Sequence, residues 1–195
     1  MSRLETLETQ LTEFGLRTRE PELAKLLRYI AELERWNRTI NLTALEGAVL
    51  IRRLVVEPLW ALEQLSPSGR YVDIGSGNGS PAVPWYICAA FVAADLVESR
   101  TRRATFLRQT SRQLGLEGVT VHRGRFEDVA SELQPADWVT LQGVKLTPQL
   151  LDQLRPIAPH RTTAVWLTKD VEPPVSPSRV LEIPFSDRLA LVFEL

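Results

Sequence analysis

Asp73-Ile74-Gly75-Ser76-Gly77-Asn78-Gly79 is the stretch on which the fold turns. The apolar run Tyr71–Ile74 leads into it and reads as a strand; Pro81–Ala90 follows it and reads as a helix. Glycines let a backbone turn sharply and approach a ligand closely. A ligand held there meets the backbone N–H groups at the start of the helix. Glu98 lies at the end of the next predicted strand, Phe91–Val97, nineteen residues after Gly79. A carboxylate at that point accepts both hydroxyls of a ribose, as in dinucleotide-binding folds whose ligands lie at the carboxyl ends of the strands.

The same alternation continues outward from the loop. Thr101–Leu114 reads as a helix, Val119–His122 as a strand, Phe126–Leu133 as a short helix and Trp138–Leu141 as a strand. Leu146–Leu154 then reads as a helix and Thr163–Thr168 as a strand, with a proline-rich loop over Pro173–Pro177. Arg179–Ile183 and Leu189–Glu194 are two strands with no helix between them, a spacing that favours an antiparallel hairpin at the sheet edge. The expectation is an α/β fold: a seven-stranded, mostly parallel sheet with helices on both faces and a closing hairpin.

Toward the amino end the period is helical. Leu4, Leu7, Leu11 and Phe14 share one stripe, and Leu23, Leu26, Leu27, Ile30 and Leu33 share another behind Pro21. Trp36–Thr43 breaks the period, and Asn37 and Asn41 suit turns or caps. A third helix is expected from Leu50 to Leu65, kinked or split at Pro58. The chain thus reads as one domain, residues 1–65 forming a helical cap and 66–195 the α/β core.

Composition excludes several classes. With 195 residues, 44% hydrophobic and 24% charged, the chain has the make-up of one globular domain and not of a disordered one. No apolar run reaches the roughly 18 residues of a membrane span. Acids stand among the leucines of residues 1–20, and no signal-peptide core is visible, so the expectation is cytoplasmic. One cysteine, Cys88, excludes an internal disulfide, and two histidines, His122 and His160, make a histidine-rich metal site unexpected. The net charge of −1 confines any nucleic-acid footprint to a local patch.

NAD sites use G-x-G-x-x-G. Here the spacing is G-x-G-x-G with Asp73 two residues ahead of Gly75, which resembles the first motif of class I S-adenosylmethionine-dependent methyltransferases. In that class the leading acid helps to hold the methionine end, so the resemblance implies such a role for Asp73, with Gly75, Gly77 and Gly79 as the loop. Gly124–Asp128, after the third strand, falls where that class binds adenine; taken alone, an ordinary helix start, with Glu127 and Asp128 at the positive end of the dipole, is the better reading.

From about Leu26 onward the chain is similar to the glucose-inhibited division protein B (RsmG) family, methyltransferases of guanine N7 in 16S rRNA. The resemblance rests on Trp36-Asn37 with Asn41-Leu42-Thr43, Asp73–Gly77, Gly79, Pro81 and Pro84, Leu96–Ser99, Phe106-Leu107 and Leu114–Leu116. It continues through Arg125, Glu127, Lys169, Pro184 and Arg188. It implies a class I, Rossmann-like methyltransferase fold, S-adenosyl-L-methionine as cofactor, and Gly75, Ser80, Phe126, Glu127 and Gln142 around it. It implies ribosomal RNA, or the small ribosomal subunit, as partner; a monomer is expected. The chain departs from the family's pattern at Ser80 and Ala82 (phenylalanine and glycine), Gln142-Gly143 (arginine-alanine), and Arg53, Glu57 and Pro58 (histidine, aspartate and serine). It departs again at Asp170 (glycine). The absence of an arginine at 142 removes a fixed charge and five donors. A divergent homologue that binds cofactor or RNA without turnover therefore stands as the alternative, followed by a small-molecule methyltransferase and, last, an NAD-dependent oxidoreductase.

Guanine N7 offers a lone pair and carries no proton, so its methylation needs no general base, and no catalytic residue is assigned. Cys88 reads as a small buried hydrophobe, and His122 and His160 receive no role. Arg100, Arg102, Arg103, Arg108 and Arg112 cluster on one predicted helix, with Arg123 and Arg125 beyond it. Arg100, Arg102, Arg103 and Lys169 are the candidates for RNA phosphate, against a plain solvated face. Trp36 and Trp85 suit either base stacking or the core, the core being the expectation.

Overall fold

The computed structural model describes residues 2–158, 163–169, 173 and 175–195. Among the described residues seven strands form one sheet: β1 (Ser68–Ile74), β2 (Ala90–Glu98), β3 (Val119–Arg123), β4 (Trp138–Gln142), β5 (Thr163–Lys169), β6 (Arg179–Glu182) and β7 (Arg188–Glu194). Their order is β3-β2-β1-β4-β5-β7-β6. β1 to β5 run parallel, while β7 pairs antiparallel with both β5 and β6. The chain winds outward from β1 to β2 and β3, then crosses back to β4. The β1/β4 boundary is therefore the point where strand order reverses and a crevice opens at the carboxyl ends.

Eight α-helices accompany the sheet among the described residues: α1 (Arg3–Glu13), α2 (Glu20–Asn37), α3 (Gly47–Ile51), α4 (Glu57–Leu65), α5 (Ala82–Cys88), α6 (Thr101–Gln113), α7 (Phe126–Val129) and α8 (Pro148–Leu154). Ser2 starts α1 with a reciprocal cap: its hydroxyl accepts from the Glu5 N–H and its own N–H donates to the Glu5 carboxylate. Pro21 occupies the first turn of α2, where its missing N–H costs nothing.

Of the expected kink or split, the structure shows a break directly ahead of Pro58. A π-helical turn over Arg52–Val56 separates α3 from α4, and Pro58 sits in the first turn of α4. Proline cannot donate to the carbonyl four residues back, and its ring crowds that carbonyl. Widening the turn ahead of it relieves both problems, and the Glu57 N–H bonds the Arg52 carbonyl instead. The Pro58 carbonyl is then taken by the indole N–H of the fully buried Trp85 at 2.7 Å.

Side chains alternate across the strands, so the two sheet faces carry separate cores. Tyr71, Ala94, Leu96 and Val121 face a cluster containing Leu7, Leu26, Val55, Trp85 and Phe106. Val72, Ile74, Val97, Val139 and Leu141 face a second cluster with Phe126, Leu146 and Leu154. The amino-terminal helices thus share one buried cluster with α5, α6 and the sheet. No helix among the described residues is long and apolar enough to cross a membrane.

Candidate functional site

The loop after β1 is held on several sides. The N–H groups of Gly75 and Ser76 both donate to the Val97 carbonyl, at 2.9 and 3.0 Å, and the Ser76 hydroxyl donates to the Asp73 carbonyl at 3.1 Å. Gly75 has φ +73°, and a Cβ there would lie 2.4 Å from Cγ2 of Val144. Only glycine fits both the conformation and the space. Gly79 has a different reason: a Cβ would press on Val83 at 3.0 Å and Tyr29 at 3.3 Å, so its lack of a side chain lets α5 and α2 close on the loop. The Tyr29 hydroxyl, from α2, donates to the Asn78 carbonyl at 2.8 Å.

Glu98 ends β2 and is 5% exposed. One carboxylate oxygen accepts from the Gly77 N–H at 2.9 Å and the other from the Arg100 N–H at 2.7 Å. Each oxygen keeps a further lone pair, so the group retains capacity for two hydroxyls.

Beside the loop lies a cleft of about 390 Å³, the size range of small-molecule sites. Gly75, Val97 and Ser99 form one wall, Gly124–Glu127 a second, and Val144, Lys145, Thr147, Leu150 and Gln153 a third. Phe126 is buried and gives an apolar surface, while Glu127 is exposed at the rim.

Asp73 lies beneath the loop, 1% exposed. It shares a register position with Thr140 of β4. The Thr140 hydroxyl donates to Oδ1 of Asp73 and is itself hydrogen-bonded to the Tyr71 hydroxyl. Oδ2 has no hydrogen-bond partner. Burial pushes the Asp73 carboxyl up to about 7; Thr140 and Ser76 oppose this, and the negative charge of Glu98 adds to it.

The structure therefore gathers Gly75, Phe126 and Glu127 in one cleft; Gly77 and Glu98 bond each other but do not line it. Ser80 and Gln142 meet each other, the Gln142 amide N–H donating to the Ser80 hydroxyl at 3.4 Å, while Gln142 Oε1 is buried and unpartnered. Asp73 and Gly79 face protein instead of the cleft. Arg100 and Arg102 are exposed at the start of α6, and Arg103 donates to the Asn41 carbonyl at 2.8 Å. Lys169 ends β5, three strand positions from β2 and so about 14 Å along the same sheet edge. His160 and Asp170, and the side chain of Lys169, lie outside the described residues.

Sequence reasoning missed Tyr29, Thr140 and Val144. Tyr29 stands on the apolar stripe of α2, and a buried tyrosine requires a partner for its hydroxyl; that was its one signal. Cys88 is half-buried, and burial pushes its thiol up to about 12, as for an unreactive side chain. His122 bonds Asp95 at 2.8 Å. Among the described residues no group of three His, Cys, Asp or Glu side chains is placed to hold a metal.

With this geometry in view, the comparisons with known proteins are specific. The GidB family model, described as rRNA small subunit methyltransferase G, matches residues 22–169. A ribosomal RNA small subunit methyltransferase G from Neisseria gonorrhoeae is 35% identical over 132 residues, 67% of this chain and 63% of that protein. One from Wolinella succinogenes is 34% identical over 158 residues, 80% of this chain and 81% of that protein. The chain thus spans less than two thirds of the Neisseria relative's length. Among solved structures, the C-terminal domain of precorrin-6Y C5,15-methyltransferase from Rhodobacter capsulatus superposes with TM-score 0.57 at 16% identity, over 78% of this chain and 91% of that one. Precorrin-6y C5,15-methyltransferase from Geobacter metallireducens gives 0.55 at 12% identity, over 72% and 89%. These two show the α/β methyltransferase fold, with its parallel sheet and closing hairpin.

Proposed function

The chain belongs to the rRNA small subunit methyltransferase G family, and from that premise we propose that it transfers a methyl group from S-adenosyl-L-methionine to guanine N7 of 16S rRNA. The observation that carries this reading is the cleft at the β1/β4 reversal, walled by a side-chain-free Gly75 and by Val97 and Ser99, the chain neighbours of the buried Glu98. The residues suit the cofactor. Glu98 has lone pairs for the ribose hydroxyls, and Phe126 gives an apolar wall for an adenine. The unpartnered Oε1 of Gln142 leaves an acceptor for the amino-acid end, and Asp73, buried beneath the loop, acts on that end through the loop it underlies. Bound S-adenosylmethionine supplies an electrophilic methyl carbon.

What the chain's own residues contribute is alignment. The loop N–H groups are fixed by the Val97 carbonyl, and Tyr29 fixes Asn78. The N7 lone pair attacks without losing a proton, so the site has no need of a basic side chain. We read the protein as a cytoplasmic monomer whose helical residues 1–65 and core 66–195 act as one unit, with Arg100, Arg102, Arg103 and Lys169 toward the RNA.

Calorimetry with S-adenosylmethionine, followed by transfer of labelled methyl to small-subunit rRNA and digestion to nucleosides, tests the reading. Label in 7-methylguanosine is the expected result; absence of cofactor binding overturns it. A second reading, a homologue that binds cofactor without turnover, draws on the uncharged Ser80–Gln142 pair. Binding without transfer, with transfer gained in Gln142→Arg, would favour it.

A further inference from the structure

Beside the cofactor loop is a second cleft, of about 340 Å³, with Thr39–Asn41 on one wall and Arg100–Arg103 on the other. Its first wall is rigid. Asn37 Oδ1 accepts from the N–H groups of Leu42 and Thr43, at 2.9 and 3.0 Å, and its Nδ2 donates to the Thr43 carbonyl at 2.9 Å. Trp36 packs edge-on against Phe106 of α6, 5.9 Å between ring centres, and Arg103 ties the Asn41 carbonyl to the opposite wall. The Trp-Asn…Asn-Leu-Thr motif is thus the scaffold of this cleft.

The second wall is cationic. Arg3, Arg19, Arg35, Arg53, Arg70, Arg155 and Arg188 each have a carboxylate within 4.0 Å. Among the described residues, none pairs with Arg100, Arg102 or Arg103 in this way. Arg123 adds a further guanidinium behind them, 3.4 Å from the Thr101 hydroxyl. Guanidinium groups hold phosphate oxygens in a bidentate fork. The cleft adjoins the cofactor loop: a Cβ on Gly77 would lie 3.6 Å from Arg103 Nη1 and 3.8 Å from Glu98.

We propose that this cleft seats a phosphodiester of the RNA strand next to the target nucleotide, positioning the strand without reading its sequence. The inference rests on the reading of the chain as an enzyme acting on RNA. S-adenosylmethionine carries no phosphate, so an anion seat beside its loop serves the substrate. Phosphate contacts fix register and orientation and leave sequence to other groups.

The test is filter binding of a small-subunit rRNA fragment across a salt series. It compares wild type, Arg100→Gln/Arg102→Gln, and a control that removes two arginines elsewhere, Arg17→Gln/Arg28→Gln. Calorimetry with S-adenosylhomocysteine runs alongside. The expected result is a salt slope shallower by about 0.7 for each single-strand phosphate that is no longer neutralised, at least tenfold weaker RNA binding, and unchanged cofactor affinity, in the cleft variant only. Equal slopes and affinities in the cleft and control variants overturn the seat while leaving the RNA reading intact. A wild type without salt-dependent RNA binding overturns both.

Discussion

Asp73→Asn is the substitution that tests the account of the site most directly. The carboxyl is enclosed between β1 and β4, with Thr140 on one oxygen and nothing on the other. Burial raises it from 3.8 to about 7. In the unfolded chain it ionises near the lower value. Between these limits the native state holds a proton that the unfolded state has released, so rising pH favours unfolding. Below 3.8 both states are protonated and the contribution vanishes; above about 7 both are ionised and the penalty on the native state is complete. The interval corresponds to about 4 kcal/mol.

Asparagine has nearly the same shape and does not titrate. The unfolding free energy of the variant minus that of wild type should therefore move by about 4 kcal/mol in the variant's favour between pH 4 and pH 8. Other ionisable groups are common to both proteins and cancel in the difference. Urea denaturation at several pH values reads it, with a constant m-value as the check that the same transition is compared. A difference that stays within about 1 kcal/mol across the range, or moves against the variant, refutes the argument from burial.

Three further outcomes follow from the geometry. Gly75→Ala places a Cβ 2.4 Å from Val144 at φ +73° and should cost about 1–3 kcal/mol, with loss of cofactor binding in calorimetry; adding Val144→Ala should relieve the clash and leave the backbone strain. Asn37→Ala removes three hydrogen bonds to the 42–43 backbone and should cost about 2 kcal/mol by urea titration; a change under about 0.5 kcal/mol would mean the loop holds itself. Glu57→Ala leaves Arg188, 9% exposed, and Arg53 without the fully buried carboxylate that lies 3.4 Å from each. It should cost about 3–5 kcal/mol in the same assay.

The sequence announced whatever had a local steric cause. Glycine is demanded at Gly75 by a positive φ and a neighbouring methyl, so the loop was readable, and the strand-ending Glu98 with it. The short apolar runs of β1, β2 and β4 needed no partner to be recognised. Asn37 was readable as a turn residue because its bonds reach only five and six residues on. Thr140 was not, because its bond to Asp73 spans 67 residues and exists only after β4 is laid beside β1. The π turn was hidden for another reason. It adds one residue to a helical repeat without changing the apolar composition, so Pro58 drew attention to itself and the break lay before it.

The amino-terminal helices act on the site as well as covering the sheet. Among the described residues, two polar contacts join the amino-terminal segment to it: Tyr29 of α2 to Asn78 in the glycine loop, and Arg103 to Asn41 in the connection after α2. Tyr29 sits in the same buried cluster as α5 and α6, so its contact cannot shift without disturbing packed side chains. The loop is thus braced from α2 on one side, from Glu98 of β2 at its middle, and from Val144 after β4 on the other. A ligand beside the glycine loop meets a backbone ordered in advance, which lowers the conformational entropy lost on binding. That arrangement explains how one near-neutral chain can present a confined cationic seat beside a buried carboxylate without the two neutralising each other. Each Glu98 oxygen accepts one backbone N–H, from Gly77 or Arg100, while the Arg100 and Arg102 side chains are exposed.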